Sequence, residues 1–241
     1  MRWIYISPHL DDAALSAGGL IYEQTRSGIA VEMWTFMCGF PPEGELSPFA
    51  QALHKQWNTS SAEQTIRTGR AEDVNAAGIL GAQAVHFDFF DCIYRRGNDG
   101  EWLYSDIYVP LHAGEADLPQ RIADAISARL QPEDVLVCQF AIGPHIDHLI
   151  VRIAVELLGR PLQYDADIPY LFIFPEQLPS KTAGMKENLH PVSEAGLQAW
   201  GDAVAAYESQ LSMLFESPEK MRQAIAQYCN ANGGVRLWSA V

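Results

Sequence analysis

Residues 2–28 read RWIYISPHLDDAALSAGGLIYEQTRSG, and this stretch decides the fold class of the 241-residue chain. Its first part, residues 2–7, is a short apolar run with β-forming side chains, which predicts a buried strand. Residues 13–27 then predict a helix, and Gly28 stands where that helix is expected to stop. A buried strand that leads directly into a helix is typical of α/β proteins with a parallel sheet.

The same alternation continues along the chain. Residues 41–48 predict a loop because they are rich in proline. Residues 92–108 contain a Gly-Asn-Asp-Gly turn, which predicts a hairpin-like insertion. Residues 164–174 are interrupted by Pro169, which predicts extended chain at a sheet edge. We therefore predict one domain over residues 1–241, with a three-layer Rossmann-like fold whose mostly parallel sheet has helices on both faces. Further strands are predicted over residues 29–37, 84–89 and 134–139, and further helices over residues 60–80, 118–130, 147–158, 194–214 and 218–230.

Composition excludes several classes of partner. Acidic residues outnumber basic residues 30 to 16, so the net charge of -14 argues against nucleic acid and against anionic membrane surfaces. No apolar run reaches the roughly 18 residues that a membrane span needs, and no signal peptide is recognised. The four cysteines form no CxxC pair, so free thiols in a reducing cytoplasm are expected.

Two clusters of metal-binding residue types follow predicted strands. The sequence Ser-Pro-His-Leu-Asp-Asp spans residues 7–12, and Gly-Pro-His-Ile-Asp-His spans residues 143–148. Ligands of open α/β sheets bind beyond the carboxyl ends of the strands, which is where both clusters fall. Together they supply three of the seven histidines of the chain. The sequence therefore directs attention to these two loops.

Two imidazoles and one carboxylate suit a catalytic zinc ion, although such a donor set accepts several divalent ions. In the tandem Asp11-Asp12, one carboxylate can bind the metal while its neighbour acts as general base. A spare histidine can donate to a developing oxyanion. Each cluster alone also has an ordinary explanation, since Asp12 can cap a helix and His145 and His148 can bond to the backbone. Their joint occurrence at two strand ends favours the metal site.

The paired motifs resemble those of the LmbE-like superfamily, the PIG-L-type zinc-dependent N-deacetylases. The resemblance extends to Arg70-Ala71-Glu72 and to the segments 76–81, 167–170 and 207–210, and so covers nearly the whole chain. Where the family usually has His-Pro-Asp-Asp-Glu, this chain has Leu10 and Ala13 in place of the proline and the glutamate. Gly18-Gly19 is not a dinucleotide-binding fingerprint, because no G-x-G-x-x-G opens the helix, and close packing is expected there.

The resemblance implies that the protein removes an N-acetyl group from an N-acetylglucosamine-type conjugate. It implies that His9, Asp12 and His148 bind zinc and that Asp11 is the general base. It also implies that His145 donates to the oxyanion or to the leaving group, with Asp147 as its orienting partner. Candidate substrate-binding residues are Arg70, Tyr164, Asp165 and Tyr170, each of which also has an ordinary structural role open to it. An amidase for a larger N-acyl group, and a non-catalytic sugar- or metal-binding module, remain the alternatives. The sequence leaves the oligomeric state open, a homo-oligomer included.

Overall fold

A computed structural model describes all residues from Met1 to Val241. The chain forms seven strands and ten α-helices, together with three short 3-10 turns. The strands are β1 Arg2–Ser7, β2 Ala30–Thr35, β3 Gln83–His86, β4 Val135–Gln139, β5 Leu162–Asp165, β6 Lys186–His190 and β7 Val235–Ser239. The helices are α1 Asp12–Arg26, α2 Pro48–Gln56, α3 Ala62–Leu80, α4 Leu118–Ser127, α5 Ile146–Glu156, α6 Tyr170–Ile173, α7 Leu178–Lys181, α8 Glu194–Ala205, α9 Glu208–Leu214 and α10 Pro218–Asn232. None of these helices combines the length and the apolar character that crossing a membrane requires.

All seven strands form one sheet in the order β3-β2-β1-β4-β5-β7-β6. The first five of these are parallel, and β7 runs antiparallel to both β5 and β6. The chain builds outward from β1 to β3, and then returns to place β4 on the other side of β1. Strands β1 and β4 are therefore direct neighbours, with Ile4 opposite Leu136. Their carboxyl ends flank the point where the strand order reverses, which is where such sheets bind ligands.

Side chains of β1 alternate between two buried clusters, one on each face of the sheet. Tyr5 belongs to the cluster that contains apolar residues of α1, α8 and α10. Ile4 and Ile6 belong to the other cluster, which contains apolar residues of α4 and α5. The predicted three-layer, mostly parallel α/β fold with helices on both faces is thus confirmed.

Several predicted elements are wrong in detail. Strand β5 is an interior strand between β4 and β7, and residues 170–173 form α6, so residues 164–174 are not an extended edge. Strands β7 and β6 lie beyond β5 and form this end of the sheet. Neither was predicted, because their short sequences have no strong strand pattern. Helix α2 was not predicted. It begins at the last residue of the predicted loop, because Pro48 occupies its first turn and the hydroxyl of Ser47 accepts a hydrogen bond from the amide of Ala50.

Two further regions are divided differently from the prediction. The stretch 194–214 forms two helices, α8 and α9, because the chain turns at Tyr207, whose hydroxyl donates to buried Asp73 at 2.7 Å. The segment 92–108 is only in part a hairpin. It holds a 3-10 turn, Cys92–Tyr94, and a single bridge between Arg96 and Trp102.

Glycine 18 allows α1 and α8 to approach closely. A Cβ atom at this position would lie 2.5 Å from Cδ1 of Trp200, which is fully buried. Gly18→Ala is therefore expected to lower the free energy of unfolding by about 1–3 kcal/mol through overpacking. Gly78→Ala is the matched control, because that helical glycine has no atom within 4 Å of the added methyl group. The control should gain about 0.5–1 kcal/mol from helix propensity. Urea unfolding of both variants measures the difference, and equal stabilities would contradict the packing role.

Candidate functional site

Three histidine rings meet at the carboxyl ends of β1 and β4. His9 lies in the loop after β1, His145 precedes α5 and His148 lies in its first turn. The ring centroids of His9 and His145 are 4.7 Å apart, those of His145 and His148 are 4.9 Å apart, and those of His9 and His148 are 5.2 Å apart. The parallel pairing of β1 with β4 brings together residues that lie more than 130 positions apart in sequence.

Donor atoms of His9, Asp12 and His148 lie within 4.8 Å of one another. Nδ1 of His9 is 3.4 Å from Oδ2 of Asp12, and Nε2 of His148 is 3.5 Å from the same oxygen. That Nε2 atom is buried and has no hydrogen-bond partner in the protein. A buried nitrogen without a partner costs free energy, so its position beside a carboxylate and a second imidazole fits a divalent cation.

A second carboxylate stands behind each of these two imidazoles. Oδ2 of Asp147 is 3.2 Å from Nε2 of His9, and Oδ1 of Asp167 is 3.3 Å from Nδ1 of His148. The other oxygen of Asp167 accepts from the amide of Ile142 at 3.0 Å. Metal-binding histidines commonly donate their second N–H group to a carboxylate, which fixes the tautomer and the ring plane. Sequence reasoning did not find this role of Asp167, although the residue opens a segment that resembles the family.

The tandem aspartates differ in backbone position because the helix begins between them. Asp12 is the first residue of α1, and its Oδ2 accepts from the amide of His9 at 2.7 Å. Asp11 has a φ of 151°, a backbone conformation that residues other than glycine rarely adopt and that is often found at active sites. Its carboxylate accepts no hydrogen bond from the protein and lines a cavity. The two side chains can therefore serve different roles.

The two aspartates also differ in electrostatics. Burial, followed by the negative charge of Asp12, raises the pKa of Asp11 well above its usual range. Burial alone would also raise the pKa of Asp12, but His148 and His9 outweigh it and lower that pKa to about 2. Asp12 is thus held as a carboxylate, which is the form that binds a cation.

His145 is oriented differently from the prediction. The carboxylate of Asp147 was expected to orient it, but that carboxylate faces His9 and Arg95 instead. The backbone amide of Asp147 donates to Nδ1 of His145 at 3.1 Å. Burial, with smaller contributions from His9 and His148, lowers the pKa of His145 well below its usual value. In the neutral ring the proton must then lie on Nε2, which makes this nitrogen a donor.

A cavity of about 470 Å³ opens over these residues. Fifteen of its 25 lining residues are hydrophobic, and none is lysine or arginine. The acidic lining residues are Asp11, Asp12, Asp91 and Asp106. The apolar walls include residues of α2, α3 and the end of α9, namely Phe49, Leu53, Ile66, Met213 and Leu214.

Only Tyr170 of the four candidate substrate-binding residues lines this cavity, where its ring centroid is 5.0 Å from that of His148. Arg70 donates to the carbonyl oxygen of Cys38 and to Asp88, at 2.9 and 2.7 Å. The hydroxyl of Tyr164 is 3.1 Å from Glu156, and Asp165 accepts from the amide of Asp167. Tyr164 and Asp165 have structural partners outside the cavity, because β5 lies inside the sheet rather than at its edge. Arg70 lies on α3, and its guanidinium is occupied by backbone carbonyls and Asp88.

The chain is similar to proteins of one known family. The family described as PIG-L, GlcNAc-PI de-N-acetylase, matches residues 4–158. The 2'-N-acetylparomamine deacetylase of Streptomyces fradiae is 28% identical over 174 residues, which are 70% of this chain and 57% of that protein. The chain therefore corresponds to little more than half the length of this relative.

Two solved structures share the fold over their whole length. The zinc-inhibited form of teicoplanin deacetylase Orf2 has a TM-score of 0.84 at 27% identity and covers 100% of this chain and 98% of that one. A complex of a deacetylase with teicoplanin, from the biosynthesis pathway of teicoplanin, has a TM-score of 0.81 at 28% identity and covers 99% and 97% of the two chains.

Proposed function

Since the chain belongs to the PIG-L family, we propose that it is a metal-dependent hydrolase that removes an N-acetyl group from an amino-sugar conjugate. The deacetylase relatives support this class of reaction. The observation that carries the proposal is the convergence of His9, Asp12 and His148 around the unpaired, buried Nε2 atom of His148. Asp11 and His145 face the same cavity as this donor set.

We assign the metal to His9, Asp12 and His148, with zinc as the first choice. A divalent ion held there would polarise the amide carbonyl and lower the pKa of a bound water molecule. The assignment of zinc is supported by the nitrogen and oxygen donors, while other divalent ions suit the same set.

The remaining steps use side chains of this chain. Asp11 accepts a proton from the attacking water, since its carboxylate faces the cavity and has no competing partner. His145 donates from Nε2 to the carbonyl oxygen as negative charge develops there, because its Nδ1 is occupied by the amide of Asp147. Cleavage of the C–N bond then gives acetate and an amine, and the proton gained from water returns to the leaving nitrogen.

The lining of the cavity narrows the class of substrate. Four aspartates and no lysine or arginine disfavour a phosphorylated group near the reacting amide. For a matched pair of conjugates, we expect kcat/KM to be at least about tenfold higher for the neutral member than for its phosphorylated analogue. Higher ionic strength should narrow that difference, because it screens charge repulsion. Steady-state kinetics on the two conjugates test this prediction. A higher kcat/KM for the phosphorylated conjugate would contradict the expected preference for neutral substrates.

The apolar walls give one alternative specific support. An amidase for a larger N-acyl group would place its acyl chain against residues such as Phe49, Leu53 and Ile66. Each methylene buried there would contribute about 0.8 kcal/mol, or roughly fourfold in kcat/KM. A series of one amino sugar acylated with acetyl, butanoyl and hexanoyl groups separates the two candidates.

Release of the free amine from a panel of N-acetylglucosamine conjugates, with zinc added, tests the proposal directly. The panel should contain soluble glycosides, a lipid-linked sugar and a glycosylated antibiotic, since the sequence does not name the aglycone. We expect at least one member to be hydrolysed. If the metal-loaded protein hydrolyses none of them but binds the sugars, the non-catalytic binding module becomes the better interpretation.

We also propose that the protein acts in the cytoplasm. All four cysteines, Cys38, Cys92, Cys138 and Cys229, are buried and free. Free thiols suit a reducing compartment, which supports this location.

A further inference from the structure

A chain of buried charged side chains leads from Glu115 to His9. Nε of Arg95 is 2.9 Å from Oε1 of Glu115, and Nη1 of Arg95 is 2.6 Å from Oδ1 of Asp147. Oδ2 of Asp147 is in turn 3.2 Å from Nε2 of His9. The side chains of Arg95 and Asp147 are 5% and 0% exposed. The predicted insertion thus reaches the metal centre through ionic contacts.

Stability alone does not account for this arrangement. Taking charged groups out of water costs free energy, and a buried ion pair often contributes no more than apolar residues of the same volume would. What such a pair does provide is a fixed geometry. The planar guanidinium of Arg95 is held by Glu115, by the carbonyl oxygen of Phe90 at 3.1 Å and by the ring of Tyr104, whose centroid is 5.0 Å away.

The contacts of Asp147 divide between its two oxygens. Oδ1 faces Arg95, whereas Oδ2 accepts from the amide of Cys92 at 2.9 Å and faces His9. Rotation of the carboxylate would therefore give up an ionic contact of Oδ1 and a hydrogen bond of Oδ2. We propose that Arg95 is a positioning residue of the metal centre, which holds Asp147 so that His9 keeps its proton on Nε2 and presents the lone pair of Nδ1 beside Asp12. This inference rests on the metal site of the proposed function.

A competing carboxylate explains why His9 needs such control. Oδ2 of Asp91 lies 3.7 Å from Nε2 of His9, and the side chain of Asp91 is 21% exposed. Without Arg95, the carboxylate of Asp147 would lose the partner of Oδ1 and could rotate away. His9 could then turn toward Asp91, and Nδ1 would leave its place next to Asp12. Arg95 thereby selects one of two available orientations of a metal-binding imidazole.

Metal affinity in Arg95→Met tests the inference. We expect zinc affinity, measured by competition with a chelator, to fall about 10–100-fold, which is typical when the partner that orients a ligand is lost. The visible spectrum of the cobalt-loaded variant should change as well, because it reports the geometry of the donor set. Glu115→Gln should give a smaller loss of zinc affinity, and Arg95→Lys an intermediate one, since lysine keeps the charge without the planar fork.

Arg2→Met is the matched control. Arg2 forms ion pairs of 2.7 Å with Asp134 and with Glu32. These pairs lie at the amino ends of β1 and β4, whereas the proposed metal centre lies at their carboxyl ends. This control should lower the thermal unfolding temperature while zinc affinity and the cobalt spectrum stay at parental values. If the loss of any partly buried arginine had the same structural effect, zinc affinity and the cobalt spectrum would change alike in Arg2→Met and Arg95→Met. That result would contradict a positioning role.

Parental zinc affinity and an unchanged cobalt spectrum in Arg95→Met would overturn the inference. If that variant does not fold, Arg95→Lys and Glu115→Gln provide the test. Parental zinc affinity and an unchanged cobalt spectrum in both of them would also overturn the inference. In these cases the parent still binds metal and releases amine, so the proposed function stands. A parent that binds neither zinc nor cobalt would remove the proposed function and this inference together.

Discussion

Asp11→Asn is expected to lower kcat by at least about 100-fold while the zinc content stays near that of the parent. A positioned general base typically contributes about 10²–10⁴-fold, or roughly 3–5 kcal/mol of activation free energy. Asparagine is nearly isosteric with aspartate, but its neutral amide cannot take a proton from water. Asp11 lies outside the proposed donor set and faces the cavity, so the variant should keep His9, Asp12 and His148 in place. KM should change little, because the loss falls on the chemical step.

Asp12→Asn is the control for this prediction, because it changes the adjacent residue in the same chemical way. It removes a charged ligand, so zinc affinity should fall and activity with it. Zinc analysis and kcat, measured on both variants, separate a base from a ligand. An Asp11→Asn protein that retains zinc and still turns over at the parental rate would eliminate Asp11 as the base. Equal loss of zinc in both variants would show that the roles of the two residues are not divided.

His148→Ala is expected to reduce bound metal from about one ion per chain to nearly none, and to abolish amide hydrolysis at the same time. The imidazole supplies the buried, unpaired Nε2 atom of the donor set, and alanine offers no replacement. Asp167→Asn should have a graded effect of about 10–100-fold on metal affinity, because it removes only the carboxylate behind that imidazole.

His190→Ala is the matched control, since His190 lies on β6 and does not line the cavity. Metal analysis of the purified proteins, followed by titration with zinc, gives the comparison. A His148→Ala protein with the same metal content as the parent and the control would exclude His148 as a ligand.

The location of the candidate site could largely be predicted from the sequence, because ligands of parallel sheets bind at the carboxyl ends of strands. The apolar runs at residues 2–7 and 134–139 were sufficient to place two strands in a parallel sheet. The motifs that follow them had to lie at the same edge of that sheet. Only the structure adds that β1 and β4 are neighbours, which brings His9 within reach of His148.

Contacts between side chains were less accessible to sequence reasoning. The carboxylate of Asp147 was expected to serve His145, since the two are close in sequence, but the turn at the start of α5 directs it toward His9 and Arg95. Arg95 lies in the segment 92–108, which has no periodic pattern, so nothing in the sequence connected it to the first strand. Asp167 was noticed only as part of a family-like segment. Its contact with His148 depends on the chain path after β5.

The cavity walls were missed for a related reason. Proline-rich residues 41–48 predicted a loop, and that pattern concealed α2, whose Phe49 and Leu53 line the cavity. A continuous helix was predicted where Tyr207 separates α8 from α9, and that break brings Met213 and Leu214 to the cavity. Local propensity does not reveal such tertiary contacts, so the apolar character of the cavity could not be foreseen.

Hydrolysis of an N-acetyl amide at this site is expected to depend on a bound metal. Release of acetate in water enriched in heavy oxygen, by protein stripped of metal and then reloaded with zinc, tests it most directly. The reloaded protein should release acetate and free amine in equal amounts, with one heavy oxygen atom in each acetate, and the stripped protein should release neither. Equal rates before and after stripping, or acetate without heavy oxygen, would contradict a metal-dependent hydrolysis at this site.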